Sequence, residues 1–387
     1  MSSATNLPPN TKKPGRARGF WQRVTDGLAI QELWGQFKSE AVEGYAHYSK
    51  DVDWDSVNKD HSKFKRWLRS AWALFQAMLM KLSPARRVLL LIAVFFIFIE
   101  PEYRQGHETV TIDTHILSAI ILFVLLALEL ADRVTMKRDL EIAREIQQWL
   151  VPSAPPQIPG IDIAFATRPQ NTVAGDYYDA FLREMPGVGA ESASLLVVVA
   201  DVAGKSVPAA LLMATFQSGL RALSSTPATL SEVVTGLDRY ARAHSLEGRR
   251  FTTAFLAEID PRTREMRYTN CGHNDPILRR ASGQIERLPV GGPPLGLPLF
   301  TDDEIAYGLA SVQLMPGDLL FIFTDGVVEA VNEKGEEFSE SRLLGSISAS
   351  ASGSAAEILS RTMRDVNDFV GYARQHDDIT ALVLRVS

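Results

Sequence analysis

The stretch SLLVVVADVAGKSVPAALLMA, residues 194–214, places a run of aliphatic residues before an aspartate, a glycine turn and an Ala- and Leu-rich segment. The aliphatic run predicts a buried strand, and the segment after the turn predicts a helix. Two interpretations of the turn lead to different chemistry. Either Gly204, Lys205 and Ser206 cradle a phosphate, or Asp201 is the working residue.

The phosphate-loop interpretation fails on spacing. Such a loop requires Gly-x-x-x-x-Gly-Lys-Ser/Thr, because its first glycine begins the turn that directs backbone N–H groups at the phosphate. The residue five positions before Gly204 is Val199, which lies inside the predicted strand. Asp201 therefore remains the candidate, and it needs partners from elsewhere in the chain.

Composition limits the class of protein. The chain has 387 residues, which suggests about two or three folding units. Its formal net charge of −6 argues against a dedicated nucleic-acid-binding protein, which normally carries a basic surface. The single cysteine, Cys271, excludes an intramolecular disulfide framework. Residues 1–20 contain no apolar stretch typical of a signal peptide.

Two apolar runs, at 88–99 and 116–128, interrupt the first third of the chain. Each is short for a hydrocarbon core of about 30 Å, but the flanked segments 84–103 and 110–131 are long enough if arginines snorkel. The link between the runs is acid-rich and both outer flanks are basic. The positive-inside rule therefore predicts a two-helix membrane hairpin over 84–131, with both termini in the cytoplasm. A pair of buried helices is the alternative.

The region before the hairpin, 1–83, has no assigned role. Its last part, 62–82, mixes basic and aromatic residues in a helical pattern. Such a helix beside a membrane span can lie on the anionic inner leaflet, or it can be an ordinary packed helix. The rest of this region is polar, with a few helix-like patches.

A charged helix follows the hairpin over 132–152 and ends at a proline-rich boundary. It carries a narrow apolar seam of residues spaced three and four apart. This seam predicts a homodimer through a parallel coiled coil over 132–150, or docking on the next domain. The seam residues are Met136, Leu140, Ala143, Ile146 and Leu150.

The remaining segment, 153–387, reads as short strands with separate pairs of helices. Because strands group together, the pattern predicts a layered α+β fold rather than alternating βαβ units. We predict strands at 161–168, 194–201, 251–260, 265–271, 275–281, 305–314, 318–324 and 379–386, and helices at 207–223, 228–245 and 353–371.

Four stretches place aspartates where an apolar strand meets a tight turn: TVAGDYYDAF, VVVADVAGKS, LLFIFTDGVVEA and RQHDDITALVL. Clustered carboxylates repel one another unless they share protons or bind cations. An all-oxygen cluster suits Mg²⁺ or Mn²⁺, and two such ions can hold a hydroxide and clamp a phosphoryl oxygen. A single Asp-Gly could be only a turn. The candidates are Asp176, Asp179, Asp201, Asp325, Asp377 and Asp378.

Six motifs occur in a characteristic order: GDYYDAF, VADVAGKSVPAALLMA, YTNCGHNDPILRR, GGPPLGL, FIFTDGVVEA and HDDITALVL. Together they resemble the bacterial metal-dependent Ser/Thr protein phosphatases of the SpoIIE/RsbU group, within the PPM superfamily. The resemblance covers roughly 140–387, including EIAREIQQWLVP, which is similar to the helix that enters such domains. It implies a PPM-phosphatase-like β-sandwich flanked by helices (α-β-β-α) over 153–387.

The resemblance also implies a ligand set for two ions, Mn²⁺ or Mg²⁺. Asp201 would bridge both ions, with the backbone carbonyl of Val202 as a further ligand. Asp176 would bind the second ion, and Asp325 and Asp377 the first. Asp378 follows Asp377 in the motif and is a candidate ligand that could also orient it. Asp179 is expected in a turn or as an outer acceptor, and Lys205 and Ser206 in solvent or capping the helix.

Three other residues invite a functional interpretation. His273 could be a general acid, although a histidine in a turn between strands is more often structural. Cys271 could suggest a cysteine phosphatase, but Ile277 stands where the arginine of Cys-x5-Arg belongs. Arg168 lies near the first strand, where eukaryotic relatives carry a phosphate-binding arginine. The family usually continues with two prolines where this chain has Asp275-Pro276.

The sequence thus predicts hydrolysis of phosphoserine or phosphothreonine on a partner protein in one displacement by a metal-bound hydroxide. The resemblance implies a phosphorylated STAS-type anti-sigma-factor antagonist as substrate. With the hairpin, it predicts a multi-pass protein of the bacterial inner membrane with the phosphatase domain in the cytoplasm. A catalytically silent membrane scaffold and a metal-dependent phosphodiesterase are the alternatives. The intact aspartates argue against the scaffold.

Overall fold

The computed structural model of the chain describes residues 49, 52, 54, 63–99, 102–105, 108–111, 113–184, 193–244, 250–289, 291–297 and 307–387. The chain divides into two compact units, Met1–Arg133 and Val134–Ser387. Most of the segment 1–62, where we predicted helix-like patches, lies outside the described residues.

The first unit forms helices at both apolar runs and at the basic aromatic segment before them. A short antiparallel strand pair joins the two apolar helices. The second apolar helix has 37 residues, so the segment 132–150 continues it rather than forming a separate helix. In chain order the elements are α1 (Lys63–Lys81), α2 (Pro84–Phe98), β1 (Glu102–Gln105), β2 (Glu108–Thr111) and α3 (Thr114–Leu150).

Helices α2 and α3 pack against each other through small polar side chains. The hydroxyl of Ser118 donates to the carbonyl oxygen of Ala93 at 2.8 Å, and both residues are buried. Arg86 forms an ion pair with Asp132 at 2.7 Å at the other end of the pair. Most large apolar side chains of the two helices are exposed. Soluble proteins rarely expose a continuous apolar surface of this extent.

Of the described helices, only α3 is long and apolar enough to cross a bilayer. Helix α2 has 15 residues, which at 1.5 Å per residue is short for a hydrocarbon core of about 30 Å. The predicted two-helix membrane hairpin is therefore not confirmed. One apolar helix is a weak indication of a membrane link.

The second unit contains two five-stranded sheets. One sheet has the strand order β10-β7-β6-β5-β4, and the other β3-β12-β11-β8-β9, with all pairs antiparallel. In chain order the elements are β3 (Ile161–Arg168), β4 (Tyr177–Glu184), β5 (Ala193–Val202), α4 (Ser206–Ser224), α5 (Leu230–Ala243), β6 (Thr252–Ile259), β7 (Glu265–Cys271), β8 (Ile277–Arg279), β9 (Ile285–Arg287), β10 (Ala310–Gln313), β11 (Leu319–Phe323), α6 (Asp325–Val328), α7 (Ser339–Ser350), α8 (Ala355–Val370) and β12 (Ile379–Val386).

The two sheets and the helices on their outer faces form four layers, with an apolar core between each two neighbouring layers. One core lies between the sheets, a second between the first sheet and helices α4 and α5, and a third between the second sheet and helices α7 and α8. Each fully buried aliphatic side chain in these cores contributes about 1.5–3 kcal/mol to folding. This arrangement confirms the predicted α+β fold with two sheets and helices on both outer faces.

Strand β5 explains why the opening run is apolar at every position. Successive side chains of a strand point to opposite faces. Leu195, Val197 and Val199 belong to the core between the sheets, whereas Leu196 and Val198 belong to the core under the helices. Because both faces of β5 are covered, a continuous apolar run is required instead of an alternating pattern.

Candidate metal centre

The alternation of side chains decides which polar residues meet at one end of the sandwich. Tyr178, Val199, Ile322 and Leu382 all point into the core between the sheets. Continuing each strand with the same parity places polar side chains at the end of that core. These side chains are Asp176, Asp201, Thr324 and, through Thr380, Asp378.

Asp176 is buried at this end of the sandwich. Its carboxylate accepts a hydrogen bond of 2.9 Å from the hydroxyl of Thr324, which closes strand β11. Burial, followed by the nearby charges of Asp201 and Asp378, raises the pKa of Asp176 well above its ordinary value. An added cation would reverse this shift, because it would stabilise the ionised carboxylate.

Asp201 ends strand β5 and faces the same cluster. Burial, and then the charges of Asp325, Asp377 and Asp378, raise the pKa of Asp201 to about 7. A carboxylate on an isolated strand end would keep its ordinary pKa near 4. Burial is the largest cause of the raised pKa, and the charges of Asp325, Asp377 and Asp378 add to it, so carboxylates from three separate segments repel one another here.

Asp325 is the first residue of α6, directly after β11. Burial and the charge of Asp377 raise its pKa. The next residue, Gly326, approaches the backbone of the β12 entrance so closely that a Cβ atom there would lie 2.0 Å from the carbonyl oxygen of Asp378. A glycine is needed at this point for the two acidic segments to meet.

Asp377 is half-exposed and pairs with Lys205. The ammonium nitrogen of Lys205 lies 3.1 Å from its carboxylate and also donates to the carbonyl oxygen of His376. Lys205 stands at the N-cap position of α4 with a half-exposed side chain, in agreement with the expected location. Its contact with Asp377 was not foreseen from the sequence.

Asp378 is buried, and its two oxygens accept backbone hydrogen bonds. The donors are the amides of Gln170 and Gly175, each at 2.6 Å. Burial raises its pKa. In this geometry Asp378 organises the loop that precedes Asp176.

The carbonyl of Val202 lies beside the same loop. A Cβ atom on Gly175 would be 3.2 Å from this carbonyl oxygen and 3.2 Å from the Cβ of Ala209 in α4. The loop carrying Asp176 therefore packs tightly on the turn after Asp201.

Asp179 lies on the opposite face of β4, with the parity of the helix-facing side chains. Its carboxylate accepts hydrogen bonds of 2.8 Å from both Nε and Nη2 of Arg221 in α4, and a further one from the hydroxyl of Tyr177. It is fully buried within strand β4, so it does not lie in a turn. It ties strand β4 to helix α4.

The other three residues singled out from the sequence have clear surroundings. His273 is buried, its Nδ1 lies 3.1 Å from the hydroxyl of Thr253, and burial lowers its pKa to about 4, so it is neutral at pH 7. Cys271 is buried, and burial raises the pKa of its thiol, which keeps it unreactive. Arg168 lines a cavity together with Lys205 and Asp377.

The donor set fits hard divalent cations. It consists of carboxylate oxygens, with the Val202 carbonyl beside them, and their mutual repulsion is relieved by positive charge. Within the described ranges, no three acidic, Cys or His side chains surround a single ion-sized point as they stand. Asp377 pairs with Lys205, and Asp378 accepts from backbone amides, so an ion bound by Asp377 would compete with Lys205 for its carboxylate.

The sequence missed several residues that support these carboxylates. Thr324, Thr380 and Gln147 hydrogen-bond to Asp176 or to the loop before it. Thr324 and Thr380 lie within the FTDG and DDIT motifs, so their parity with the core residues was a usable signal. Gln147 gives no such signal.

Several known proteins are similar to this chain. The family model described as Stage II sporulation protein E (SpoIIE) matches residues 191–387. Protein IcfG of Synechocystis is 27% identical over 286 residues, covering 67% of this chain but 43% of that protein. Phosphoserine phosphatase RsbU of Bacillus subtilis is 27% identical over 253 residues, covering 65% of this chain and 70% of that protein.

The fold has a close counterpart among solved structures. The SiaA-PP2C domain of Pseudomonas aeruginosa superposes with a TM-score of 0.56 at 22% identity, covering 66% of this chain and 99% of that domain. This similarity confirms the PP2C-like fold of the second unit. Since the family model spans half of the chain, the chain belongs to the SpoIIE family of PPM-type protein serine/threonine phosphatases.

Proposed function

We propose that this chain hydrolyses phosphoserine or phosphothreonine on a partner protein, with two Mn²⁺ or Mg²⁺ ions held by the carboxylate cluster. The observation that carries this proposal is the convergence of Asp176, Asp201, Asp325, Asp377 and Asp378 at one end of the sandwich, where burial and the neighbouring carboxylates raise the pKa of Asp176, Asp201, Asp325 and Asp378. A catalytically silent scaffold has no need to maintain such unfavourable repulsion.

Each of these residues has a proposed role in binding the two ions. Asp201 would contact both ions, with the Val202 carbonyl as a further ligand. Asp176 would hold the second ion, and Asp325 and Asp377 the first. Bound ions would activate a water molecule and offset charge on the phosphoryl oxygens. Asp378 keeps the Asp176 loop in place through Gln170 and Gly175.

Neither Cys271 nor His273 is available as a covalent nucleophile. Cys271 is fully buried, with burial raising the pKa of its thiol. His273 is 3% exposed, and its Nδ1 lies 3.1 Å from the hydroxyl of Thr253. Direct attack by water therefore accounts for the reaction better than a phosphoenzyme.

The proposed substrate is a phosphorylated STAS-type anti-sigma-factor antagonist in a bacterial signalling pathway. The match to RsbU, which is named a phosphoserine phosphatase, supports a phosphoserine substrate. The match covers less than two thirds of IcfG, so the activity of that whole protein is not transferred.

We also propose that 84–131 forms a membrane hairpin that places the protein in the bacterial inner membrane as a multi-pass protein. The exposed apolar surfaces of α2 and α3 support this placement, as does the spanning length of α3. Helix α1 carries exposed aromatic side chains, including Phe64, Trp67 and Trp72, as expected for a helix on the inner leaflet.

Homodimerisation through 132–150 is the remaining part of the proposal. Of the predicted seam, Met136 and Ile146 are exposed, whereas Leu140, Ala143 and Leu150 are half-buried. Ile146 forms an exposed apolar stripe with Ile142 and Trp149. A second copy of this helix would cover the stripe. Loss of crosslinking between protomers in Ile146→Lys, but not in Gln148→Lys, is the expected result; equal crosslinking in both would contradict the pairing.

The activity is tested with the full-length protein in detergent micelles. We expect release of phosphate from a phosphoserine protein or peptide with Mn²⁺, none after EDTA, and recovery when Mn²⁺ is restored. Hydrolysis of p-nitrophenyl phosphate but not of its bis-ester would exclude the phosphodiesterase alternative. Metal-dependent cleavage of the bis-ester alone would overturn the proposal.

A further inference from the structure

Gln147, on the last turn of α3, is a polar side chain that the proposed mechanism does not use. It is 8% exposed, although its sequence neighbours Ile146 and Gln148 are exposed. Its Nε2 donates to the carbonyl oxygen of Ala174 at 2.7 Å, and the amide nitrogen of Ala174 donates to its Oε1 at 2.9 Å. The primary amide of Gln147 thus both donates to and accepts from the backbone of one residue.

The two hydrogen bonds between Gln147 and Ala174 hold the backbone just before Asp176, a candidate metal ligand. Ala174 precedes Gly175, whose amide donates to Asp378 at 2.6 Å, and Asp176, which accepts from Thr324 at 2.9 Å. Three consecutive residues are thus held by three separate segments of the chain. The first of these segments is helix α3.

The loop depends on such contacts because it has no regular structure of its own. Residues 169–176 form neither helix nor strand. The amides of Gln170, Ala174 and Gly175 and the carbonyl of Ala174 have partners outside the loop. A buried backbone group left without a partner costs about 1–3 kcal/mol. The loop is also tightly packed, since a Cβ atom added to Gly175 would lie 3.2 Å from the carbonyl oxygen of Val202.

We propose that Gln147 is a positioning residue of the metal centre: its amide fixes the backbone that carries Asp176, so the last turn of α3 helps to build the site of the second ion. Gln147 touches neither substrate nor ion and acts through Ala174. The inference rests on the proposed function, because it assigns Asp176 to a bound cation. Residues that orient metal ligands in this way typically change metal affinity about 10–100-fold when replaced.

The test compares Gln147 with its exposed neighbour in the full-length protein in micelles. Gln147→Glu keeps the size and the acceptor for the Ala174 amide, but places an oxygen against the Ala174 carbonyl. Gln147→Met removes both hydrogen bonds and keeps the length. Gln148→Glu and Gln148→Met are the matched controls. Mn²⁺ binding is followed by calorimetry and by the electron paramagnetic resonance signal of coupled Mn²⁺ pairs.

We expect both Gln147 variants to weaken one of the two Mn²⁺ sites about tenfold or more and to lose the coupled-pair signal. The other site keeps its affinity, and the KM for the phosphorylated substrate is unchanged at saturating Mn²⁺. Hydrogen exchange of the Ala174 amide becomes faster in Gln147→Met, because its acceptor is lost in that variant. Both Gln148 variants behave as wild type.

Two results would overturn the inference. One is binding of two Mn²⁺ ions with wild-type affinity in folded Gln147→Met. The other is an equal loss at both sites together with a lowered melting temperature, which would show a merely structural role. Failure of the proposed function is distinct: wild-type protein would then bind no Mn²⁺ pair at all.

Discussion

Lys205 is a cation beside Asp377, a candidate ligand of the first ion. Because its ammonium lies 3.1 Å from the carboxylate of Asp377, it occupies a charge position that a divalent ion needs. The pair is half-exposed, so its worth is about 0.5–1 kcal/mol.

We predict that Lys205→Met tightens Mn²⁺ binding roughly two- to fivefold, the factor that corresponds to this energy. Isothermal titration of full-length protein measures it, with the exposed Lys334→Met as control. Weaker Mn²⁺ binding in Lys205→Met would show that Lys205 supports the site instead of competing with the ion.

The acidic cluster also makes the metal-free protein sensitive to pH. The pKa of Asp201 is raised to about 7, and that of Asp176 is raised as well. Since a raised pKa means tighter proton binding in the folded chain, the stabilisation from these protons is full near pH 4 and is lost as pH rises through about 7.

The melting temperature of EDTA-treated protein should therefore be lower at pH 8 than at pH 5, by circular dichroism. Asp201→Asn should flatten this difference, and Mn²⁺ should remove it by neutralising the cluster. Asp368→Asn, at an exposed position of α8, should retain it. A metal-free wild type that is equally stable at both pH values would contradict the repulsion.

At the residue scale, the carboxylates were predictable and most of their partners were not. Asp201 lies at the end of one apolar strand and Asp325 two residues after the end of another, which marks both in the sequence. The partner of Asp377, Lys205, comes from a turn 172 positions earlier in the numbering, and only the sheet topology brings them together. Asp179 looked similar to Asp176 but differs in parity, which sends it to Arg221.

At the site, the backbone of α6 closely approaches the backbone at the start of β12. We predict that Gly326→Ala displaces the two segments, because its Cβ would lie 2.0 Å from the Asp378 carbonyl oxygen. Mn²⁺ affinity and melting temperature should both fall.

The matched control is Gly345→Ala in α7, where no atom lies within 4 Å of the added Cβ. There the melting temperature should stay or rise, because alanine is favoured over glycine in a helix by about 1 kcal/mol. If Gly326→Ala bound Mn²⁺ as wild type does, the contact between α6 and β12 would not shape the site.

At the element scale, strands with both faces covered were easiest to predict. The run in β5 and the strand at 379–386 agree with the structure within one residue. Strand β4 was missed because its sequence, YYDAFLRE, carries charges at Asp179 and Arg183. Both side chains are buried, Asp179 in an ion pair with Arg221 and Arg183 in one with Glu258. These tertiary contacts stabilise a strand that the local sequence pattern does not predict. Helix α7 was missed as well.

At the scale of the whole molecule, the structure confirms helices at both apolar runs, and their insertion in a membrane as a hairpin stays a prediction. We predict that a membrane-impermeant maleimide labels Gln105→Cys in intact cells and does not label Gln148→Cys. The native Cys271 is buried and should give no background. Labelling of both positions, or recovery of the full chain in the soluble fraction without detergent, would contradict the predicted topology.

The central claim, that the converging aspartates bind the ions for phosphate ester hydrolysis, is tested most directly in Asp201→Asn of the full-length protein. This change keeps the shape of the side chain and removes the charge that two cations would share. We predict that Mn²⁺-dependent turnover of a phosphoserine substrate falls by about a thousandfold or more and that the paired Mn²⁺ sites are lost, while circular dichroism shows a folded protein and Asp368→Asn retains full activity. Wild-type turnover in Asp201→Asn would contradict the assignment of this cluster as the catalytic centre.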